Sequence, residues 1–281
     1  MDCTSFAAHW GHIEGVKVLF DRGATTDATT GMYWIGTALH CAARQGHIEV
    51  VKLLLDRGTT VNATTGVHWT ALHCAARVGH IEAVRVLLDR GATIDATTNN
   101  GWTALHQAVI LGHIEVLKLL LDRGAAVDAT TNENWTALHH AASNGHSKAV
   151  QVLLDRGTSI DATNNEGRTA LHEACASAME ALSSRYFGVV KVLFELERGT
   201  GTSTSINVAD RSGDTALHCA VRNPSTNTEM IQLLLDNGAN TDLKNVDGET
   251  ALDIARRLGW EHRVTLLTST AHNTQIAAPV L

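Results

Sequence analysis

Apolar positions along this chain come in short bursts of helical spacing, separated by polar stretches of nearly constant length. Residues 101–134 show the pattern most cleanly, as GWTALHQAVILGHIEVLKLLLDRGAAVDATTNEN. The first burst predicts a short helix over 104–111, entered through Thr103 and stopped by Gly112. A threonine hydroxyl at such an entry accepts a hydrogen bond from an early helix amide. The second burst predicts a helix over about 114–122, with Val116, Leu117, Leu119, Leu120 and Leu121 forming a broad apolar face. Gly124 suits the left-handed position after a helix end. Residues 125–134, rich in Thr, Asn and Asp, read as an extended turn or finger. Helices of eight or nine residues fall below the ~12–15 at which an isolated helix becomes marginal in water, so packing on neighbours must hold them.

The cassette recurs. TALH stands at Thr37, Thr70, Thr103, Thr136, Thr169 and Thr215, and TALD at Thr250; the first four gaps are 33 residues and the last two are 46 and 35. A fixed period of this size marks stacked repeats that share one continuous core. Small pairs after the histidine (Ala42 and Ala43, Ala75 and Ala76, Ala141 and Ala142) let neighbouring helices approach closely. This pattern resembles the ankyrin repeat, a turn-plus-two-helix unit marked by G-x-T-P-L-H-x-A-A-x-x-G-H and an apolar helix ending in L-L-L-x-x-G-A. The matches run from GTALHCAARQGHIEVVKLLLDRG at Gly36 through GETALDIARRLG at Gly248. The family's proline is alanine in all seven copies, which gives up a residue well suited to the first helical position.

The resemblance implies an all-α repeat solenoid of stacked helix-turn-helix units with β-turn fingers. Its units fall at 1–34 (incomplete), 35–67, 68–100, 101–133, 134–166, 167–212 (with insertions), 213–247 and 248–267 (a C-terminal cap), with 268–281 as a loose tail. In the first unit Val16, Val18 and Leu19 leave an apolar outer face, as expected of a longer array or of an end that something covers. In the last, Arg256, Arg257, Glu261, His262 and Arg263 supply the polar face of a cap. The sixth unit has excess residues near 177–185, near Leu196 and at 200–205. It lacks the Gly-His stop, as does the seventh, which carries NPSTNTEM around Pro224. Surface drift is the simpler expectation there, because long loops cost little, and a binding feature is the alternative, because insertions in solenoids map to loops.

Composition narrows the function. The net charge of -7 argues against direct nucleic-acid contact or attraction to anionic membrane. No apolar run approaches the ~18 residues of a spanning helix, and the MDCTS start lacks the features of a signal peptide. The expectation is an intracellular monomer, cytoplasmic or nuclear, without membrane insertion. Of five cysteines, Cys41, Cys74 and Cys219 each follow a TALH histidine. Equivalent positions in stacked helices lie ~8–10 Å apart, beyond the ~7 Å reach of a disulfide, so reduced thiols are expected.

Sixteen histidines invite metal or catalytic chemistry. Six belong to TALH (His40, His73, His106, His139, His172, His218) and five to the Gly-His stop (His12, His47, His80, His113, His146). Their expected role is hydrogen bonding to threonine hydroxyls and loop backbone. One repeat of separation is too far for shared coordination at ~2 Å metal–nitrogen distances. The recurrent His-Ile-Glu lacks the P-C-x-x-C partner of zinc deaminases. His172 and Glu173 lack a second histidine four positions on, and there is no G-x-S-x-G or phosphate loop. No metal, cofactor or catalysis is expected.

The resemblance further implies that partners dock on a concave side built from first helices and fingers. The positions that vary there are the residue before Thr and the two before the stop glycine. Before Thr stand Gly36, Trp69, Trp102, Trp135, Arg168, Asp214 and Glu249. This side is therefore expected to be apolar in units three to five and charged in units six to eight. Trp69, Trp102, Trp135, Val78, Ile110 and Leu111 are the candidate anchors for a protein or peptide, with Arg44, Arg77 and Gln107 as polar contacts. Tryptophan is enriched at interface hot spots, and contiguous apolar patches mark partner sites. The competing reading makes the indoles structural, lying on neighbouring fingers and copied by duplication. The functional expectation is an interaction scaffold, with a transcription coregulator or other regulatory subunit as the alternative. The resemblance also implies hydroxylation as a candidate modification of Asn62 and Asn207.

Overall fold

A threonine followed three residues later by a histidine closes the start of six inner helices, with Thr250 and Asp253 doing the same in the last repeat, and this local bond sets the repeat. In the computed structural model, residues 3–25, 36–178, 183–200 and 205–276 are described, with backbone alone at 183, 196–200, 205 and 270–276. The expected first finger with Asp27, the insertion points at 179–182 and 201–204, and residues 277–281 lie outside the described residues. The described chain holds sixteen α-helices and no β-strand, an all-α repeat solenoid.

It divides into two compact units, Met1–Asn132 and Glu133–Leu281. Unit one contains α1 (Cys3–His9), α2 (Ile13–Asp21), α3 (Ala38–Gln45), α4 (Ile48–Asp56), α5 (Ala71–Val78), α6 (Ile81–Asp89), α7 (Ala104–Ile110) and α8 (Ile114–Asp122). Unit two contains α9 (Ala137–Ser143), α10 (Ser147–Asp155), α11 (Ala170–Ser177), α12 (Ser183–Thr200), α13 (Ala216–Arg222), α14 (Thr228–Asp236), α15 (Ala251–Arg257) and α16 (Glu261–Ile276). Within each unit, odd-numbered helices pack on odd-numbered ones and even on even, and each odd helix packs on the even helix that follows it. Leu39, Leu72 and Leu105 of the inner row and Leu54, Leu87 and Leu117 of the outer row are fully buried. Each such side chain contributes about 1.5–3 kcal/mol by leaving water.

Two sets of histidines tie repeat to repeat. His73 Nδ1 accepts from the Thr70 amide at 3.2 Å, and its Nε2–H donates to the Trp102 carbonyl at 3.0 Å. His40 reaches the Trp69 carbonyl at 2.9 Å in the same way. In unit two His139, His172 and His218 reach the carbonyls of Arg168, Asp214 and Glu249. Nδ1 faces an amide that only donates and Nε2 a carbonyl that only accepts, which fixes a neutral ring with its proton on Nε2. Burial holds all five rings below their usual range, His73 at about 4. The Gly-His histidines point the opposite way along the stack: His47, His80 and His113 each donate Nε2–H at 3.1 Å to the carbonyls of His9, Arg44 and Arg77. Gly79 has φ +86°, and a Cβ there would lie 2.5 Å from His113 Nδ1, so only glycine fits beneath the ring.

Where the Gly-His pair is lost, other side chains make the same reach. Tyr186 Oη donates to the Ser143 carbonyl at 3.2 Å, and Asn223 Nδ2 to the Ala176 carbonyl at 2.9 Å. In the last repeat Arg263 donates to the carbonyls of Val221, Asn223 and Pro224. Two expectations change here. Arg263 is not part of a solvated cap face: it is 7% exposed and holds the end of α13, whereas Arg256, Arg257, Glu261 and His262 are exposed. The Asn223 segment is a structural replacement rather than surface drift. At the other end Val18 is 51% exposed as expected, yet Val16 is fully buried. The extra length of the sixth unit goes partly into α12, whose 18 residues double the nine of α8. The last helix continues beyond residue 268, where the repeat pattern ends, to Ile276.

Among the described residues no helix is long and apolar enough to cross a membrane. All five cysteines are free thiols. Burial pushes Cys74 and Cys219 up to about 12 and Cys175 well above its usual value, which keeps these sulfurs protonated and unreactive.

Candidate functional site: the inner groove of unit one

Two fingers of unit one are set by a threonine five residues before the TALH threonines Thr70 and Thr103. Thr65 Oγ1 accepts the Trp69 amide at 3.1 Å, and Thr98 Oγ1 accepts the Trp102 amide at the same distance. The closed turn holds each indole against the histidine of its own helix, Trp69 at 6.0 Å from His73 and Trp102 at 6.0 Å from His106 between ring centroids. Both indoles are half-buried and keep one side toward the inner face.

Between these fingers and helices α3, α5 and α7 lies a groove of about 430 Å³. Seven of the nine expected contact residues line it: Trp69, Trp102, Val78, Ile110, Arg44, Arg77 and Gln107. Gln107 is 3% exposed and accepts from Arg77 Nη1 at 3.2 Å, while the Arg77 guanidinium sits 5.6 Å from the centre of the Trp69 ring. Arg77 is thus positioned from two sides. The remaining two expected residues stand elsewhere. Leu111 is 51% exposed just past the end of α7 and outside the groove lining. Trp135 belongs to unit two, where its ring packs 4.9 Å from that of His140.

Sequence reasoning missed the floor and the finger side of the groove. Cys74, expected only to be a reduced thiol, lines it, and so do Val67 and Asn100, each three residues before a TALH threonine. The available signal was Val67 itself, an apolar residue where the next two fingers carry Asn100 and Glu133. Among the described residues no three His, Cys, Asp or Glu side chains come together as a metal site. Asn62 and Asn207 are exposed, and each side chain spans to the next finger: Asn62 bonds the Gly91 carbonyl and the Thr93 amide, Asn207 the Gly238 carbonyl and the Asn240 amide.

The same positions in unit two carry a different chemistry. The finger turn is closed by Asn164, Asp210 or Asn245, whose Oδ1 accepts the amides of Arg168, Asp214 and Glu249. Beyond Trp135, the place of the indoles is taken in α11, α13 and α15's repeats by charged side chains, Arg168, Asp214 and Glu249, engaged with charged neighbours. Arg168 Nε donates to Asp210 at 3.0 Å, Arg222 grips Asp214, and Arg257 grips Glu249. Asp214 is 1% exposed and also accepts from Asn245 Nδ2 at 3.0 Å.

Stacked helix pairs joined by finger turns, with an inner face whose side chains change from repeat to repeat, define a helical-repeat protein. The chain belongs to the ankyrin-repeat family: the model for ankyrin repeats (3 copies) matches residues 3–65, 62–131, 123–200 and 178–276. A solved structure, the human ASB11 ankyrin repeat domain, superposes with a TM-score of 0.66 at 32% identity, covering 77% of this chain and 90% of that one. Palmitoyltransferase ZDHHC17 of Homo sapiens is 46% identical over 56 residues, 20% of this chain and 8% of that protein. The Rattus norvegicus protein of the same name matches at the same identity over 9% of its length. The chain thus spans less than a tenth of these relatives. Ankyrin repeats are generally protein–protein interaction modules, and the fold is typically non-catalytic.

Proposed function

We propose that this chain is a non-catalytic interaction scaffold that holds a peptide segment of a partner protein in the inner groove of unit one. The observation that carries this reading is the groove itself. Two half-buried indoles, Val78 and Ile110 converge on one cleft with a positioned arginine at its side. Val78 is 42% exposed, although the fold makes no demand for an apolar residue there: Asn144 takes the equivalent place in α9's repeat. Trp69 and Trp102 are the proposed anchors and Arg44, Arg77 and Gln107 the polar contacts. Trp135 and Leu111 are proposed as weaker contributors, because neither lines this cleft. A regulatory subunit acting beside a DNA-binding or enzymatic partner would use the same cleft.

The test is a cross-linking pull-down with the wild-type chain, the Trp69→Ala/Trp102→Ala variant, Val78→Glu and Trp135→Ala. Val78 is exposed enough that its glutamate variant folds, so it separates lost binding from lost structure. Partners recovered by wild type should be lost from the double variant and from Val78→Glu and largely kept by Trp135→Ala. Equal recovery by all four proteins overturns the groove as the site.

A further inference from the structure

We propose that the groove of unit one takes an acidic peptide segment, with Arg44 and Arg77 each holding one carboxylate and the two indoles holding apolar side chains beside them. This rests on the groove being the binding site and adds the chemistry of what enters it. The chain supplies its own precedent. Arg44, Arg77, Arg222 and Arg257 all stand seven residues after a capping threonine. In unit two that arginine binds a carboxylate from the residue just before the same threonine. Arg222 pairs with Asp214 through Nη1 and Nη2, and Arg257 reaches Glu249 with Nε at 2.7 Å and Nη2 at 3.0 Å. The repeat therefore contains a built two-point carboxylate clamp, and in unit two the chain fills it.

In unit one the residue before the threonine is Gly36 or Trp69, so the internal carboxylate is gone while the arginine stays. Neither Arg44 nor Arg77 has an ion-pair partner among the described residues, and none of the residues lining the groove is Asp or Glu. Arg77 spends one donor on Gln107, and a guanidinium has five N–H groups. Planar bidentate pairing with carboxylate is the strong use of the rest. The groove is a local cationic site on a chain of net charge -7.

Helix spacing sets the pattern of the ligand. Arg44 and Arg77 lie on adjacent packed helices, α3 and α5, which puts equivalent positions ~8–10 Å apart. A peptide in polyproline-II conformation brings residues i and i+3 onto one face at about 9 Å. The expected ligand has two acidic residues three apart, with apolar side chains between them directed at the indoles. Two cations are too few to follow a phosphodiester backbone, whose binding draws on many contacts.

Selection from a random dodecapeptide display library tests this on the full chain, with Arg44→Gln/Arg77→Gln and Trp69→Ala/Trp102→Ala selected in parallel. Circular dichroism checks that each folds; both arginines are exposed, so their variant should melt like wild type. Wild type should enrich paired Asp or Glu three residues apart around apolar residues. The arginine variant should keep the apolar preference and lose the acidic one, and the tryptophan variant should lose enrichment. In fluorescence anisotropy, the best peptide should bind about tenfold or more tighter than its Glu→Gln version, the value of a charge-assisted pair. Enrichment without an acidic surplus, or equal binding of the Gln version, overturns the acidic ligand while leaving the groove. Enrichment unchanged in the tryptophan variant, or no enrichment by wild type, overturns both. Tighter binding of a single-stranded oligouridine probe than of any selected peptide overturns the peptide ligand.

Discussion

Arg77 in unit one and Arg222 in unit two occupy the same place on their helices and meet different neighbours. Arg77 lies over the Trp69 ring and bonds Gln107; Arg222 grips the buried carboxylate of Asp214. Their backbones are alike, since both helices begin with the same threonine–histidine closure and both fingers fold around a side-chain oxygen five residues earlier. One side chain, the residue before the threonine, decides whether the inner face is occupied by the chain itself or left as a groove. Repeat folds separate these two tasks: the spine fixes position, and the variable residues decide what is bound.

The largest expected effect acts on what the two units share. His40 and His73 in unit one and His139, His172 and His218 in unit two are all held neutral by burial, with folded values below the ordinary 6.5. Between the folded and unfolded values the unfolded chain binds more protons. The stability these rings contribute is therefore complete above about pH 6.5 and is lost as pH falls through the folded value. For His73, with a folded value of about 4, going from pH 7 to pH 5 removes about 2 kcal/mol, and the other four act in the same direction. Urea midpoints should fall steeply over this range, and hydrogen exchange should show both units loosening. A midpoint that does not move between pH 7 and pH 5 would remove the neutral-histidine spine.

The next effect divides the units. Asp214 carries bonds from Arg222 and Asn245 while almost wholly buried. Asp214→Ala strands Asn245 and frees Arg222, whose own side chain is 43% exposed and regains water. The expected loss is about 2 kcal/mol, below the 3–5 of a fully buried pair. Exchange protection should drop around α13 and α15 and hold in unit one. Equal loosening of both units would show that the charged network is not local.

The period of TALH and the two apolar bursts made the helices legible, because both signals are local. The helix expected at 114–122 is α8 as observed, and that at 104–111 ends one residue early, at Ile110. The inner-face contrast was also legible, since the residue before each threonine is read directly from the chain. What could not be read was which partner a polar residue would choose. Arg263 looked like a solvated cap because nothing local shows that its guanidinium reaches back to Val221. Likewise the position two before the threonine is left-handed at His68 (φ 59°) and Asn134 (φ 57°) as well as at Gly101, a demand hidden where the residue is not glycine. Trp135 fell outside the observed groove because the row of indoles was inferred from spacing alone.

A smaller effect concerns the spine of unit one. Gly79→Ala forces a left-handed alanine and drives its Cβ against the His113 ring. The left-handed conformation alone costs about 1 kcal/mol, and His113 must also give up its bond to the Arg77 carbonyl or shift. The expected loss is about 1–2 kcal/mol, read from urea midpoints. His113→Ala combined with Gly79→Ala should cost less than the two separate losses added together, because the clash is then gone. Strict additivity would mean that the two residues do not meet as described.

The smallest effect returns to the two arginines. Arg222→Gln leaves the Asp214 carboxylate buried with Asn245 as its remaining side-chain donor. Because Arg222 is itself partly solvated, the expected loss is about 1 kcal/mol. Arg77→Gln removes a contact with an indole and one bond to Gln107 from an exposed side chain, worth about 0.5 kcal/mol at most. Side by side, the unit-two variant should melt measurably lower than wild type and the unit-one variant should not. The order should reverse for binding, where Arg77→Gln weakens peptide capture and Arg222→Gln leaves it unchanged. If both variants lost stability equally, Arg77 would be as much a part of its own fold as Arg222, and the groove would have no cation to spare for a ligand.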